Sequence, residues 1–151
     1  MKILFRSFLV ALLLTASTLA QDKDNDEWPS LAYLKSDYRS AYAVAHVKVY
    51  DAEIVNRIPG YESWRINCEI VEPFKGKFRK GQKVEYFHGA EAGFRKELFT
   101  GEKIVFLLRD FDKKEGKRIY VVLENSTLPY TEDRIRKLRT IRRSVWRRKA
   151  T

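Results

Sequence analysis

Two stretches decide the fold expected of this chain: YAVAHVKVY, residues 42–50, and WRINCEIVEPF, residues 64–74. Alternate residues in both stretches are apolar: Ala43, Ala45, Val47 and Val49 in the first, and Trp64, Ile66, Cys68 and Ile70 in the second. Because successive side chains of a β-strand point to opposite faces, this period of two predicts a pair of strands in a sheet with one buried face. A turn at residues 56–60, containing Pro59 and Gly60, joins the two strands.

Three further strands are predicted outward from this pair. The first strand, over residues 40–54, is long enough to bend and pair with two neighbours. Residues 82–88 give a third strand, and the unbroken apolar run at residues 104–108 is typical of a central strand buried on both faces. Residues 118–124 pair back as a fifth strand. Residues 89–100, between the third and fourth strands, predict a short helix or an irregular crossover.

Two helices are predicted at the ends of this β-rich region. Leu31, Leu34 and Tyr38 recur at helical spacing after Ser30, which predicts a short helix over residues 29–38 that packs on the sheet. The last element begins at Thr131 as its N-cap and is rich in arginine. It also carries an apolar stripe, which predicts docking on the domain rather than insertion into lipid: Ile135, Leu138, Ile141 and Val145.

The N-terminal segment is typical of a secretory signal peptide. Lys2 and Arg6 precede an apolar run over residues 8–14. Small residues then lead to Ala20, after which cleavage is predicted. An uncleaved N-terminal anchor is the alternative, but the run is shorter than the ~20 residues that a bilayer span needs. We therefore expect a secreted or periplasmic protein with no transmembrane segment in the mature chain. Cleavage leaves 28 basic and 20 acidic residues, a net charge of +8.

The chain divides into four predicted segments. Residues 1–20 are the signal peptide, residues 21–28 a disordered acidic leader, residues 29–128 a β-barrel domain, and residues 129–151 a basic amphipathic helix. Cys68 is the single cysteine, so no intrachain disulfide can form and a hydrophobic core must hold the domain together. On the apolar face of its strand, Cys68 is interpreted as a small buried hydrophobe; a reactive thiol is the alternative.

Three phrases of the sequence follow one another along the predicted strands: CEIVEPFKG at residues 68–76, GQKV at residues 81–84 and GEKIVFL at residues 101–107. A strand ending in a Phe-Lys-Gly turn, a Gly-x-x-Val strand start and a Gly-Glu lead into an apolar strand occur in this order in netrin-like modules. The stretch from residue 38 to residue 125 thus resembles these modules, which are related to the tissue inhibitors of metalloproteinases. The resemblance implies an OB-fold, a five-stranded Greek-key barrel, and the order of predicted elements agrees with that fold.

The inhibitory mechanism of the metalloproteinase inhibitors is not implied for this chain. Those proteins present an N-terminal cysteine to the protease zinc, whereas the expected mature N-terminus here is Gln21 and the only cysteine is Cys68. What the resemblance implies is the fold and, by analogy of fold alone, binding to other macromolecules.

No catalytic constellation is visible in the sequence, and we expect neither enzymatic activity nor a cofactor. Serine hydrolase, Walker-type and Rossmann signatures are absent. His46 and His88 lie in separate predicted strands, where they are more often a surface residue and a strand-end residue than zinc ligands. A zinc-dependent enzyme that uses both histidines with Glu69 or Glu85 is the less favoured alternative.

The basic balance favours an acidic partner. We predict a partner-binding surface made of two groups of cations, one in the loop after the second strand and one in the last helix: Lys75, Lys77, Arg79, Lys80, Arg142, Arg143, Arg147 and Arg148. Trp64 and Tyr86 have the parity of packing residues, whereas Tyr61 and Phe87 are freer to stack on a ligand. Single-stranded nucleic acid or an acidic glycan is the alternative ligand, through an OB-type groove.

The sequence therefore predicts a mainly β protein, an OB-fold-like barrel with a short N-terminal helix and a basic C-terminal helix. Its expected function is that of an exported, monomeric, non-catalytic binding module that contacts a protein or a polyanionic macromolecule. A basic domain whose charge serves only solubility is the competing interpretation.

Overall fold

The computed structural model of the protein describes residues 29–149, with the side chains of all of them except Glu124, Asn125, Arg148 and Lys149. The predicted signal peptide and acidic leader, residues 1–28, lie outside the described residues. The elements follow in this order: α1 Leu31–Ser40, β1 Ala43–Ile58, β2 Tyr61–Lys75, β3 Lys83–Glu91, a 3-10 turn Lys96–Leu98, β4 Gly101–Asp112, β5 Lys117–Pro129 and α2 Glu132–Lys149.

The five strands close into a barrel in the order β1-β2-β3-β5-β4, so β4 pairs with β1 and completes the ring. Strand β1 pairs antiparallel with β2 over its whole length, from Val44 to Ile58. Its first half, Ala43 to Val49, also pairs with β4. The prediction of a long first strand that serves two neighbours is therefore confirmed, as is the mainly β architecture with a short helix before the strands and a basic helix after them.

The interior of the barrel is the first of two hydrophobic cores. The predicted apolar face of the first two strands lines it, as do Phe78, Tyr86 and Phe99. Trp64 and Tyr86 are 4 % and 0 % exposed, so their interpretation as packing residues is confirmed. Burying this face gives the free energy that closes the ring, because apolar surface removed from water is the main favourable contribution to folding.

The second core lies outside the barrel, between its wall and the two helices. Strand residues Val44, Phe74, Ile104, Phe106 and Leu128 meet helix residues Leu34, Tyr38, Ile135, Leu138 and Ile141 there. The docking predicted for the stripe of α2 is confirmed, and residues 104–107 are buried on both faces of β4, as their apolar run predicts. The expectation of one buried face for the first strand is wrong in part, because the outward-facing Val44 packs in this second core and the ring of Tyr130 covers His46.

The last helix begins directly after its predicted N-cap Thr131, whereas the first spans Leu31–Ser40, two residues further along the chain than the predicted range 29–38. The Ser30 hydroxyl accepts a hydrogen bond from the Tyr33 amide at 3.2 Å, and the Thr131 hydroxyl accepts one from the Arg134 amide at 3.2 Å. Each cap satisfies an amide that the first turn of a helix leaves without an internal partner. No helix in residues 29–149 is both long enough and apolar enough to cross a membrane.

The strands are longer than their hydrophobic patterns. Strand β4 continues to Asp112 and β5 begins at Lys117. The charged hairpin between them is therefore formed by paired backbones, and most of its side chains are exposed to solvent. The crossover between β3 and β4, predicted as a short helix or an irregular segment, contains a single 3-10 turn, Lys96–Leu98. Backbone pairing in a hairpin does not need apolar side chains, and for this reason the pattern underestimates its length.

Candidate binding surface

The basic loop between β2 and β3 is fixed to the barrel by one aromatic side chain. Phe78 is 8 % exposed and its ring meets the Tyr120 ring edge to face, with the centroids 5.1 Å apart. Its neighbours Lys77, Arg79 and Lys80 are exposed and form no ion pair within residues 29–149. The loop therefore buries its single aromatic residue and presents three cations to solvent.

Hydrogen bonds also hold the turn of this loop. The Gln82 carboxamide oxygen accepts from the Arg79 amide at 3.1 Å, and the Gly81 amide donates to the Ile70 carbonyl at 2.8 Å. Gly76 has a φ of +95°, and a Cβ there would lie 2.9 Å from the Ala43 Cβ, so any larger residue would both strain the backbone and displace β1. The cations of the loop are thus carried on an ordered turn.

Lys75, the first cation of the predicted surface, is occupied inside the protein. Its ammonium group donates to the carbonyls of Tyr38, Arg39 and Ala41 at 2.7, 3.0 and 2.5 Å, and it lies 5.6 Å from the Tyr38 ring centroid. These carbonyls belong to the C-terminal end of α1, where a helix leaves its acceptors unsatisfied and carries partial negative charge. The structure places Lys75 as a cap of α1.

Two arginines of α2 attach the helix to β2. Arg139 forms a two-point ion pair with Glu72, Nε to Oε1 at 3.1 Å and Nη2 to Oε2 at 2.7 Å. Arg142 donates to the Pro73 carbonyl at 3.2 Å and lies over the Phe74 ring at 5.8 Å. The hydrogen bond from Arg139 holds the pKa of the Glu72 carboxyl below its ordinary value, and the positive charges of Arg139 and Arg142 act in the same direction.

The other basic residues of α2 face outward. Arg143 and Arg147 are exposed and make no ion pair with any described carboxylate. Trp146 lies between them in sequence and is 73 % exposed, more than any other large hydrophobic residue that the structure describes. The side chain of Arg148, the last residue of the predicted surface, lies outside the description. Because Arg142 contacts β2 directly before Lys75, the basic half of α2 and the basic loop meet at the end of β2.

The two histidines lie in different cores. His46 is 6 % exposed; its ring stacks on Tyr130 at 4.6 Å, and its Nε2 is 3.4 Å from a Glu102 carboxylate oxygen. The expectation that one of the histidines lies at the surface fails here, because the helix layer covers the outer face of β1. His88 meets the Phe99 ring edge to face at 5.1 Å, and burial lowers the pKa of its imidazole. Among residues 29–149 no group of three His, Cys, Asp or Glu side chains is placed to hold a metal ion.

Cys68 lies inside the barrel with no exposed surface, as its interpretation as a buried hydrophobe predicts. Its thiol donates to the Val84 carbonyl at a sulfur–oxygen distance of 3.5 Å. Burial raises the pKa of this thiol to about 12, so the thiolate that would act as a nucleophile is scarce at neutral pH.

Three features of the surface were not predicted from the sequence. The anchoring by Phe78 could have been recognised, since a lone aromatic residue among four cations is a typical packing residue. The exposure of Trp146 is not evident from a helical projection, which places this residue at the flank of the apolar stripe, next to Ile135, and not on the opposite face. The capping by Lys75 has no local signal, because α1 and Lys75 are more than thirty residues apart in the chain.

No protein-family model matches the chain, and a search of curated proteins found no match. The class of the protein is therefore argued from its fold and its surface.

Proposed function

We propose that the protein is an exported, non-catalytic binding module of the netrin-like OB-fold type that captures an acidic macromolecule. The observation that carries this proposal is a set of exposed cations that pair with no carboxylate of the described residues 29–149, held on two ordered elements that meet at the end of β2: Lys77, Arg79, Lys80, Arg143 and Arg147. Cations that are already positioned lose little conformational freedom when a polyanion neutralises them, and they release the counterions of that polyanion.

The closed ring of five strands supports the OB-fold assignment. A small five-stranded barrel with a crossover between its third and fourth strands is the architecture of OB-folds, which bind extended ligands through their strand faces and loops. The netrin-like phrases fall on structural features of this barrel. The Phe-Lys-Gly turn contains the core residue Phe74, the α1 cap Lys75 and the close approach at Gly76.

Charge reversal tests the proposed surface. The variant Lys77→Glu/Lys80→Glu changes the loop, and the variant Arg143→Glu/Arg147→Glu changes the helix. None of these four residues forms an ion pair within the part of the chain that the structure describes. Binding of the mature chain, residues 21–151, to heparin is measured across a salt series. We expect each double variant to weaken binding and to lower the dependence of log K on log salt by roughly one for each cation removed.

A matched control separates the surface from net charge. Lys113 and Lys114 lie exposed in the β4–β5 hairpin, and the reversal Lys113→Glu/Lys114→Glu changes the net charge by the same amount. If this control weakened heparin binding as much as the two surface variants, the charge would act without a defined site. If the wild-type protein failed to bind at low salt, the charge would be a solubility feature and the proposal would be wrong.

Single-stranded nucleic acid is a second candidate ligand, and Trp146 is the observation that favours it. An exposed indole between two arginines can stack on a base while the arginines contact phosphates. Replacement of Trp146 by alanine would then reduce the affinity for single-stranded DNA by roughly tenfold or more, since stacking on one base contributes about 1–3 kcal/mol. Equal affinity of the wild type and the Trp146→Ala variant for single-stranded DNA would show that Trp146 does not stack on a base and that only the cations contribute to binding.

A further inference from the structure

A cleft of about 280 Å³ opens between the first halves of β3 and β5. Val84, Phe87, Ile119 and Tyr120 give it an apolar lining, and four charged side chains also border it: Lys83, Glu85, Lys117 and Arg118. Its volume is near the lower end for small-molecule pockets, which suits one or two residues of a peptide better than a large metabolite.

The cleft exists because β3 and β5 hardly pair. Phe87 with Val121 is the only paired position that the structure records between them within residues 29–149. Ahead of this position, residues 83–86 of β3 pair with β2 on one side, and residues 117–120 of β5 pair with β4 on one side. The other edge of each strand faces the cleft and pairs with no strand among the described residues.

The hydrogen-bond pattern shows which backbone groups of β3 point there. The Ile70 amide donates to the Gln82 carbonyl at 2.9 Å, so Gln82 directs its backbone toward β2. The register of β2 and β3 is regular from Lys83 onward, and direction alternates along a strand. Val84 and Tyr86 thus face β2, whereas Lys83 and Glu85 direct their amide and carbonyl groups into the cleft. A row of such groups is a template for an added strand.

The charges around the cleft favour an acidic ligand. Glu85 is its only carboxylate, and the Arg65 guanidinium lies 3.8 Å from it. Lys117 pairs with Glu115 at 2.5 Å. Lys83 lies across from Glu69 in the β2–β3 register but forms no ion pair with it, and Arg118 forms none with any described carboxylate, so both cations beside the apolar floor are available to a ligand.

From these observations we infer that the cleft binds an extended acidic peptide, which adds to the free edge of β3. The peptide backbone bonds to Lys83 and Glu85. Alternate apolar side chains of the peptide enter the cleft, and its carboxylates face Lys83 and Arg118. Backbone pairing supplies the affinity, and the pocket and its charges supply the selectivity, as in other cases of strand addition. This site is separate from the basic surface assigned above.

The test uses residues 21–151 and three synthetic octapeptides. The first alternates valine and glutamate, the second alternates valine and lysine, and the third is the first with alternate amides N-methylated. Binding is followed by the backbone amide resonances of the protein. We expect the acidic peptide to shift the amide resonances of Lys83 and Glu85 in a saturable manner. We expect the other two peptides to bind at least about fivefold more weakly. The second peptide lacks carboxylates, and the third lacks half of its backbone N–H donors.

Two protein variants carry the same test. Glu85→Pro removes a cleft-facing amide while leaving the bonds of Val84 and Tyr86 to β2, and we expect it to weaken the acidic peptide roughly fivefold relative to Glu85→Ala. Lys83→Glu/Arg118→Glu, which alters no backbone group, should weaken it by about tenfold. Lys113→Glu/Lys114→Glu in the β4–β5 hairpin, which belongs to neither proposed site, should leave peptide affinity within about twofold of wild type, since these residues do not line the cleft.

Three outcomes would overturn the inference. One is the absence of any saturable shift up to about 1 mM acidic peptide. Another is equal binding of the acidic and N-methylated peptides, which would show that charge acts without strand addition. The third is a set of shifted amides at the basic loop and not at β3, which would place the peptide on the other surface.

Discussion

Replacing Leu138 by alanine tests whether α2 is an integral part of the folded unit. Leu138 has no exposed surface and belongs to the cluster that joins α2 to Phe106 and Leu128, both of which are also fully buried. Neighbours packed on every side cannot collapse into the space that the leucine leaves, so a cavity remains. Leucine-to-alanine changes at such sites cost about 3 kcal/mol of unfolding free energy. With an m-value of about 1.5 kcal/mol per molar urea, the unfolding midpoint should fall by about 2 M.

Urea unfolding is followed by two signals that report on different parts of the protein. Far-ultraviolet circular dichroism records the helices, and the fluorescence of the buried Trp64 records the barrel in a Trp28→Phe/Trp146→Phe background, which removes the other two tryptophans of the chain. If barrel and helix form one cooperative unit, the two transitions coincide in the wild type and shift together in the variant. Arg143→Ala on the exposed side of α2 is the control and should change stability by less than about 0.5 kcal/mol. A comparably small loss for Leu138→Ala, or loss of helix at lower urea than loss of barrel fluorescence, would refute the docked arrangement.

Three further predictions concern single side chains. Cys68 should not react with Ellman's reagent in the native protein at pH 8, since a pKa of about 12 leaves roughly one thiolate in ten thousand. It should react fully once urea unfolds the chain. Prompt reaction of the native protein would contradict the burial of the thiol. Lys75→Met should lower the unfolding free energy by about 2 kcal/mol, because three carbonyls at the end of α1 lose a charged donor. An unchanged midpoint of urea unfolding would show that water replaces the ammonium group. The pKa of Glu72 is lowered in the folded state, so its ion pair with Arg139 stabilises the protein above the unfolded-state pKa of a glutamate, and this contribution is lost as the pH falls through the lower folded value. The stability difference between wild type and Glu72→Gln should therefore be greatest near neutral pH and vanish in acid, and a difference that stayed constant down to pH 2 would disprove this role.

Local periodicity was sufficient to predict the strands and helices, and it was insufficient to predict what covers them. The apolar face of β1 and the stripe of α2 each follow from alternation along a few neighbouring residues. Val44 and His46 lie on the same face of the first strand as Lys48 and Tyr50, and the latter two residues are exposed. The helices cover only the first part of the strand. Which part is covered depends on where distant segments dock, which a local pattern does not record.

The same distinction applies to the basic surface. Composition and position predicted two groups of cations, and Lys77 and Arg143 are exposed as such a surface requires. Lys75 and Arg142 belong to the same runs of basic residues, yet their partners are backbone carbonyls and a carboxylate on other elements. The sequence alone does not distinguish a lysine or arginine that caps a helix from one that is exposed and able to bind a ligand. Only the three-dimensional arrangement distinguishes them.

The shared layer beneath α1 and α2 has a consequence for the order in which the protein can fold during its synthesis. The first and last described elements contribute to the same core as Ile104 and Phe106 on the barrel wall. A nascent chain that has completed β5 but not α2 therefore exposes an apolar barrel wall to its surroundings. Such partly built chains are prone to aggregate or to be held by chaperones. Premature termination within the last helix should consequently be far more damaging than the loss of a surface tail of the same length.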